Sequence, residues 1–254
     1  MRFSKYLLSL VMCCTAFGPV LLYAQNSAIQ VIIPSAEAES DYIWQTLQDL
    51  PFFESYKYQL RLPSGDLMDS LKEKARANTL TDADYQALQS FVRTSVYRQE
   101  DYAKGFKKIA EQLPFLDKMI NRWRNLDTDW SMHAPPVYQV MLTLYGPGGS
   151  YNPDEGSILI YTTPDGRFKQ YDNPANTLIH EIVHIGIEAS LIQPYSASHP
   201  LKERMVDLIV QICFGPELPD YRLQPFEGTG IDKWLQTEAD VERLDHIMQK
   251  LTED

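Results

Sequence analysis

Cysteine is scarce in this chain of 254 residues, and its three cysteines are placed so that no internal disulfide is expected. Cys13 and Cys14 lie in an N-terminal segment with the pattern of a cleaved leader, so Cys213 is alone in the remainder. Because Cys213 lies in an apolar stretch with helical spacing, we expect a buried thiol there. The fold therefore depends on its hydrophobic core and not on a disulfide framework.

Positive charge is also in short supply, with 23 lysines and arginines against 34 aspartates and glutamates and a net charge of −11. No basic patch, internal repeat or low-complexity tract is present, which disfavours nucleic acid and anionic lipid as partners. The glycines at 146–150 belong to no GxGxxG or Lys-Ser/Thr pattern, so we exclude a phosphate-binding loop. The length suits one globular domain or two small ones.

Residues 1–24 have the composition of a signal peptide. Arg2 and Lys5 supply a positive start, residues 6–22 are largely apolar, and Ala24 is a suitable cleavage residue. An uncleaved membrane anchor is the alternative, because the apolar stretch is almost long enough to span a bilayer. A glycine–proline pair inside it favours cleavage. We expect an exported protein, periplasmic or secreted, with no stable membrane association after cleavage.

Hydrophobic periodicity and turn residues predict the fold class. We predict strands at residues 28–33, 56–62, 137–145 and 157–163. We predict helices at residues 36–50, 66–77, 102–113, 115–130, 174–188, 201–214, 231–235 and 238–251, and a further helix capped by Thr81. These elements indicate an α+β fold that is mostly helical, with a small antiparallel β-sheet. A mainly helical region, residues 25–134, precedes a region at 135–254 that carries the chemistry.

That chemistry lies in one predicted helix. His180, Glu181 and His184 form a His-Glu-x-x-His pattern, which is typical of helices that bind zinc and hydrolyse peptides. Asn173 is a good N-cap, and Pro174 occupies the first helical position, where its missing N–H costs nothing. Residues four apart lie on one face of a helix, so the two histidines can bind one metal ion. Glu181 lies one position round, within reach of an attacking water.

The remaining positions of this helix are apolar almost all round, which predicts burial. Buried polar groups need partners, and a bound cation would satisfy several of them at once. The alternative is an ordinary core helix whose two histidines are held by hydrogen bonds. Glu188 lies on the ligand face, where we expect it to pair with a ligand residue or a cation.

A catalytic zinc site needs three protein ligands and one open position. Our third ligand is Glu203, which follows His184 after eighteen intervening residues, enough to end one helix and begin another. Asp207 lies one helical turn further on and could accept a hydrogen bond from the outer nitrogen of a ligand histidine. His199 and Asp232 are the alternative third ligands, because chain length allows both of them to reach the site.

The pattern His180-Glu181-x-x-His184, followed by Glu203-x-x-x-Asp207, resembles the gluzincins, which are the thermolysin-like and aminopeptidase-like zinc metallopeptidases. The resemblance covers residues 137–210. It implies a zincin-like core within 135–254, in which two helices hold one Zn²⁺ per chain through the two histidines and Glu203. It also implies that Asp207 orients a ligand histidine.

Two further roles follow from the same resemblance. Tyr195, eleven residues after the second histidine, matches a tyrosine that stabilises the transition state, and the strand at 157–163 matches an edge strand that binds extended substrate. The chain lacks the Gly-x-Met-Glu-Asn motif of the aminopeptidases. For the family's second transition-state residue, the candidates are His246 and Tyr221.

These expectations combine into an exported zinc endopeptidase acting on peptides or proteins, with Glu181 as general base. The alternative is an exported binding or scaffold domain with a peptidase-like fold and a structural zinc. The intact Glu181 favours the enzyme, because a structural site has no use for a general base.

Overall fold

The computed structural model describes residues 27–226 and 229–253, so the predicted signal peptide lies outside the described residues. The described strands are β1 (Ile29–Ile32), β2 (Tyr138–Thr143), β3 (Gly149–Asn152) and β4 (Ser157–Tyr161). The described α-helices are α1 (Ala36–Gln48), α2 (Leu50–Ser55), α3 (Asp66–Arg76), α4 (Asp82–Phe91), α5 (Ala103–Arg124), α6 (Lys169–Asp172), α7 (Pro174–Ile187), α8 (His199–Phe214), α9 (Glu238–Glu242) and α10 (Leu244–Glu253). Short π-helical turns at Val92–Val96 and Glu188–Ile192 continue α4 and α7, and 3₁₀ turns lie at Gln99–Tyr102 and Ile231–Lys233.

The four strands form one mixed sheet in the order β1-β2-β4-β3. β2 pairs in parallel with both β1 and β4, whereas β3 pairs antiparallel with β4. The α+β class with mostly helical content therefore agrees with the structure, but the predicted antiparallel sheet is wrong. The chain leaves β1 through five helices and returns to the same sheet as β2, and such a long crossover allows parallel pairing.

The prediction that the strand at 157–163 lies at an edge of the sheet is also wrong. β4, which covers most of the 157–163 segment, is paired on both sides, and β3 is the edge strand beside it. β3 lies outside the strands that the sequence predicted, because its glycine, serine and asparagine are poor strand formers. The predicted strand at 56–62 contributes only one isolated bridge, between Arg61 and Gly146.

The larger hydrophobic cluster joins the sheet to α5, α7 and α8. Helix α7 lies at its centre, and every residue of Pro174–Ile187 is buried, as the sequence predicted. Gly186 allows α5 to approach, because a Cβ atom at this position would lie 2.8 Å from the Trp123 side chain. Packing on several sides fixes α7 against the sheet, and the side chains that it carries are therefore held in place.

Helix α5 corrects the sequence prediction of two helices, at 102–113 and 115–130. It runs unbroken through Pro114 and ends at Arg124. An internal proline costs a helix about 3 kcal/mol. Ile109 before it and Trp123 after it are both fully buried in the larger cluster. Each such side chain contributes about 1.5–3 kcal/mol, so burial on both sides of the proline outweighs its cost.

A second, smaller cluster, called here the helical cluster, packs α1, α3 and α4 together. Its buried members are Ile43, Leu47, Leu50, Met68, Leu71, Ala75, Leu88 and Val92. Thr81 and Asp84 form the predicted capping box at the start of α4. β1 and α5, although they precede residue 135, pack in the larger cluster with the elements that follow it. No helix in the described part of the chain has the length and apolar character needed to cross a membrane.

Candidate metal centre

Helix α7 begins as predicted and presents its two histidines on one face. The Asn173 side chain accepts a hydrogen bond from the Ala175 N–H at 3.1 Å, and Pro174 is the first helical residue. One turn separates His180 from His184, and their Nε2 atoms lie 3.0 Å apart. Two imidazole nitrogens at this distance share either a proton or a cation.

Helix α8 supplies the third group. Ser198 caps its first turn by accepting from the Leu201 N–H, and Glu203 lies in the following turn. The Glu203 Oε2 atom lies 3.4 Å from the Nε2 atom of His180 and 3.3 Å from that of His184. All three ligand atoms lie within 4.8 Å of one another, so the group could hold a metal ion. Tetrahedral ligands about 2.0–2.1 Å from a cation stand about 3.3 Å apart, which suits these separations.

A chain of two residues holds the outer nitrogen of His180, because Tyr221 contacts that nitrogen and Asp207 contacts Tyr221. The Tyr221 hydroxyl donates to Asp207 Oδ1 at 2.5 Å and lies 2.7 Å from His180 Nδ1. Because that hydroxyl donates to the carboxylate, it accepts the proton of Nδ1, so Nε2 is the nitrogen of His180 that a cation in the cluster would use. The direct distance from Asp207 Oδ1 to Nδ1 is 3.4 Å. Asp207 therefore reaches His180 chiefly through Tyr221.

The ring of His184 is fixed by stacking. Tyr151 of β3 lies parallel to it, with ring centroids 4.6 Å apart and planes 10° apart. The Tyr151 hydroxyl donates to Glu188 at 2.7 Å and accepts from Lys202 at 3.0 Å. Glu188 is thus the partner of a residue that orients a histidine. The Nδ1 atom of His184 is buried and has no hydrogen-bond partner among the described residues.

The electrostatics of the cluster favour a cation. Burial lowers the pKa of His180, but hydrogen bonds to Asp207 and Glu203 outweigh it and raise that pKa to about 10. Burial lowers the pKa of His184 to about 4, which keeps its imidazole neutral. Burial opposes ionisation of Glu203, yet its contacts with both histidines hold its pKa well below the usual range. A cation between these groups would take the place of the proton on His180.

Glu181 lies beside the cluster but is not a member of it. Its side chain is 6% exposed, and burial raises its pKa to about 7. The carboxylate lies against β3, where a Cβ atom on Gly149 would collide with Glu181 Oε1 and would lie 2.8 Å from Thr177 Cγ2. Glycine at this position therefore lets the edge strand approach the carboxylate closely.

The second oxygen of Glu203 faces His199, which is in turn surrounded partly by residues from the N-terminal half of the chain. His199 Nδ1 lies 3.5 Å from Glu203 Oε1, and His199 Nε2 lies 3.0 Å from the hydroxyl of Tyr58. Around His199 stand the rings of Phe52, Tyr56 and Phe226, with centroid distances of 5.3, 4.7 and 5.5 Å. The region before residue 135 thus contributes directly to the surroundings of the cluster.

Gln224 closes the remaining side. Its Nε2 atom donates to Glu203 Oε2 at 2.8 Å and lies 3.5 Å from His180 Nε2. Its main-chain N–H donates to Asp207 Oδ2. The sequence analysis missed Gln224, Tyr58 and Tyr151. A glutamine 21 positions after Glu203 in an irregular segment belongs to no spacing motif, so only the folded structure identifies it.

Several predicted residues lie elsewhere. The Tyr195 hydroxyl donates to Asp245 Oδ1 at 2.7 Å, so the structure ties it to α10. Asp232, an alternative third ligand, pairs with Arg204. His246 is exposed on α10. Tyr221 is the one candidate transition-state residue that touches the cluster, and it does so from the outer side of His180.

The site has to be interpreted from this geometry. No protein-family model, curated protein or solved structure matches this chain.

Proposed function

We propose that this protein is an exported zinc-dependent peptidase, most simply an endopeptidase with a zincin-like core of the gluzincin type. The observation that carries the proposal is the buried group of His180, His184 and Glu203. A further buried glutamate, Glu181, lies next to this group on the helix that carries both histidines. The N-terminal segment with the pattern of a signal peptide supports export. Peptides or proteins are the proposed substrates.

The residues present fit one Zn²⁺ per chain, held by His180, His184 and Glu203. Zinc prefers imidazole nitrogen and carboxylate oxygen at tetrahedral spacing, and each of the three ligand atoms is already aimed at the others. The outer hydrogen bond of His180 to Tyr221 fixes the tautomer that a ligand histidine needs. When bound, zinc supplies a Lewis acid and lowers the pKa of water.

In this proposal Glu181 is the general base. A group that must first accept a proton from the attacking water and then give it to the leaving amine works best with a pKa near the working pH. Burial raises the pKa of Glu181 to about 7 in the metal-free cluster, so its surroundings favour holding a proton. Its position one residue after a ligand histidine keeps the carboxylate beside the reaction centre.

The proposed substrate-binding element is β3. Edge strands can add an extended peptide through main-chain hydrogen bonds, and β3 is an edge of the described sheet. Gly149 of this strand lies against Glu181, and Tyr151 stacks on His184. A peptide paired with β3 would run past both the base and the ligand group.

The second candidate is a non-catalytic exported domain with a structural zinc. The contact of Gln224 with Glu203 and His180 favours it, because structural zinc sites are closed and catalytic ones keep an open position.

The first experiment measures zinc per chain in the purified protein and in Glu203→Ala, together with hydrolysis of an unstructured protein such as casein. We expect one zinc in the parent, a large loss in the variant, and hydrolysis that depends on zinc. Asp232→Ala is the matched control and should keep its zinc, because Asp232 pairs with Arg204. Equal zinc in the parent and Glu203→Ala would reject Glu203 as a ligand. A zinc-loaded parent that cleaves nothing would favour the structural role.

A further inference from the structure

The segment 221–224, called here the strap, holds the open side of the metal cluster. Tyr221 bonds Asp207 and His180 through its hydroxyl, and the main chain of Gln224 donates to the other oxygen of Asp207. Two anchors on one buried carboxylate fix the strap close to the cluster. The side chain of Gln224 extends from this anchored main chain towards the ligand atoms.

The terminal amide of Gln224 lies beside two of the three ligand atoms of the cluster. Those three ligand atoms are Nε2 of His180, Nε2 of His184 and Oε2 of Glu203, with separations of 3.0, 3.3 and 3.4 Å. The amide adds separations of 2.8 Å to Glu203 Oε2 and 3.5 Å to His180 Nε2. The ligand atoms of a tetrahedral zinc site are about 3.3 Å apart, so the amide is close enough to two of the ligand atoms to share a cation with them.

The chemistry of the amide suits both states of the cluster. The oxygen and nitrogen of a glutamine amide have nearly the same shape, and a half-turn of the amide exchanges them. Without a cation, the amide nitrogen donates to the Glu203 carboxylate. If a cation were held by these residues, a half-turn of the amide would place its oxygen on the side of the cation. An amide oxygen is a neutral ligand and is therefore easier to displace than a carboxylate or a thiolate.

We propose that Gln224 is the fourth metal ligand of a resting state, in which its side chain excludes water and substrate until it swings away. This inference rests on the proposed zinc site and deepens the proposed function by adding a built-in latch. The main-chain bond from Gln224 to Asp207 is independent of the side chain. The latch therefore opens by rotation of one side chain while the strap stays anchored.

The test uses Gln224→Ala, which removes the amide and keeps the main-chain anchor. The parent and the variant are loaded with Co²⁺, and acetohydroxamate, a small metal-binding probe, is titrated while the visible spectrum of the cobalt is followed. We expect the variant to bind the probe at least about tenfold more tightly, because no internal ligand has to be displaced. Zinc content should stay at one per chain, and the basal rate of peptide hydrolysis should rise.

Two further variants make the test specific. Gln224→Glu places a charged carboxylate at the same position, so it should bind the probe more weakly than the parent does. Gln211→Ala removes an exposed glutamine of α8 and should behave like the parent.

The outcomes separate the latch from the proposed function. Equal probe affinity in the parent and Gln224→Ala overturns the latch. Loss of zinc from Gln224→Ala also overturns it, and points to a closed structural site. Tighter probe binding without peptide hydrolysis in either protein supports the latch and rejects the peptidase. A parent that binds no metal rejects both.

Discussion

Glu39 in α1 and Glu181 in α7 are both buried, and burial raises the pKa of both, to about 6 and about 7. Glu39 lies where the helical cluster meets the sheet. Its Oε1 atom accepts from the Tyr102 hydroxyl at 2.8 Å and from the Leu144 N–H at 2.9 Å. Glu39 thus joins α1 to the end of β2, and among the described residues it belongs to no group of three or more side chains that could hold a metal ion.

Glu181 has neighbours of a different kind. His180 precedes it, the charge of Glu203 acts on it, and Gly149 leaves room for its carboxylate against the edge strand. Burial raises the pKa of both carboxyl groups, but Glu39 joins two structural elements, whereas Glu181 is a candidate general base. A raised pKa identifies a functional carboxylate only when groups that can bind substrate or metal surround it.

The largest expected difference concerns turnover. Glu181→Gln should lower the rate of peptide hydrolysis by about 10³-fold, because an amide of the same shape cannot accept the proton. Zinc content should be unchanged, since Glu181 is not a member of the ligand group. Glu39→Gln is the matched control and should keep the parent rate. The measurement is initial rate against zinc content, and a Glu181→Gln protein that cleaves as fast as the parent would remove the proposed base.

A smaller difference concerns stability, and here Glu39 is the residue that matters. Its pKa is raised from 4.5 to about 6 by burial, so the folded state binds more protons than the unfolded state between these values. The associated stability is fully present below pH 4.5 and is lost as the pH rises through 6. A shift of this size corresponds to about 2 kcal/mol.

Glu39→Gln should remove that pH dependence, because its amide stays neutral and its oxygen can still accept from Tyr102 and Leu144. Urea unfolding of the parent and the variant between pH 4.5 and pH 7.5 measures it. Other buried groups titrate in this range and contribute equally to both proteins, so the difference between the two curves isolates Glu39. Parallel curves for the two proteins would mean that Glu39 titrates normally.

The parts of the site that the sequence could predict are governed by local rules. The cap at Asn173 and the four-residue spacing of His180 and His184 follow from helix geometry alone. Glu203 also lies one turn into a helix whose start is marked by Ser198. Their convergence needed only that two successive helices pack together, and the apolar faces of both helices made that packing predictable.

The features that the sequence predicted wrongly or missed depend on long-range contacts. Pro114 stays inside α5 because distant side chains bury both halves of the helix. β3 is a strand because β4 pairs with it, although glycine and asparagine disfavour it. Tyr58, which contacts His199, and Gln224, which contacts Glu203, lie in loops whose paths no periodicity encodes. Tyr195 was placed by its spacing from His184, but the turns that follow α7 direct its hydroxyl to Asp245.

The smallest expected effect tests how far the N-terminal half belongs to the site. The Tyr58 hydroxyl lies 3.0 Å from His199 Nε2, and the other ring nitrogen of His199 faces Glu203. If the hydroxyl donates to Nε2, the proton of His199 is placed on Nδ1, where it can bond Glu203 Oε1. Tyr58→Phe removes that constraint and should weaken zinc binding by about tenfold, the lower end for partners of ligand residues.

Competition with a chelator of known affinity measures this loss. Tyr56→Phe is the matched control, because Tyr56 contacts His199 through its ring and should keep the parent affinity without its hydroxyl. A loss of zinc affinity confined to Tyr58→Phe would mean that the region before residue 135 helps to hold the third ligand, Glu203, in place through His199. Equal affinities in all three proteins would instead restrict the metal site to α7, α8 and the strap.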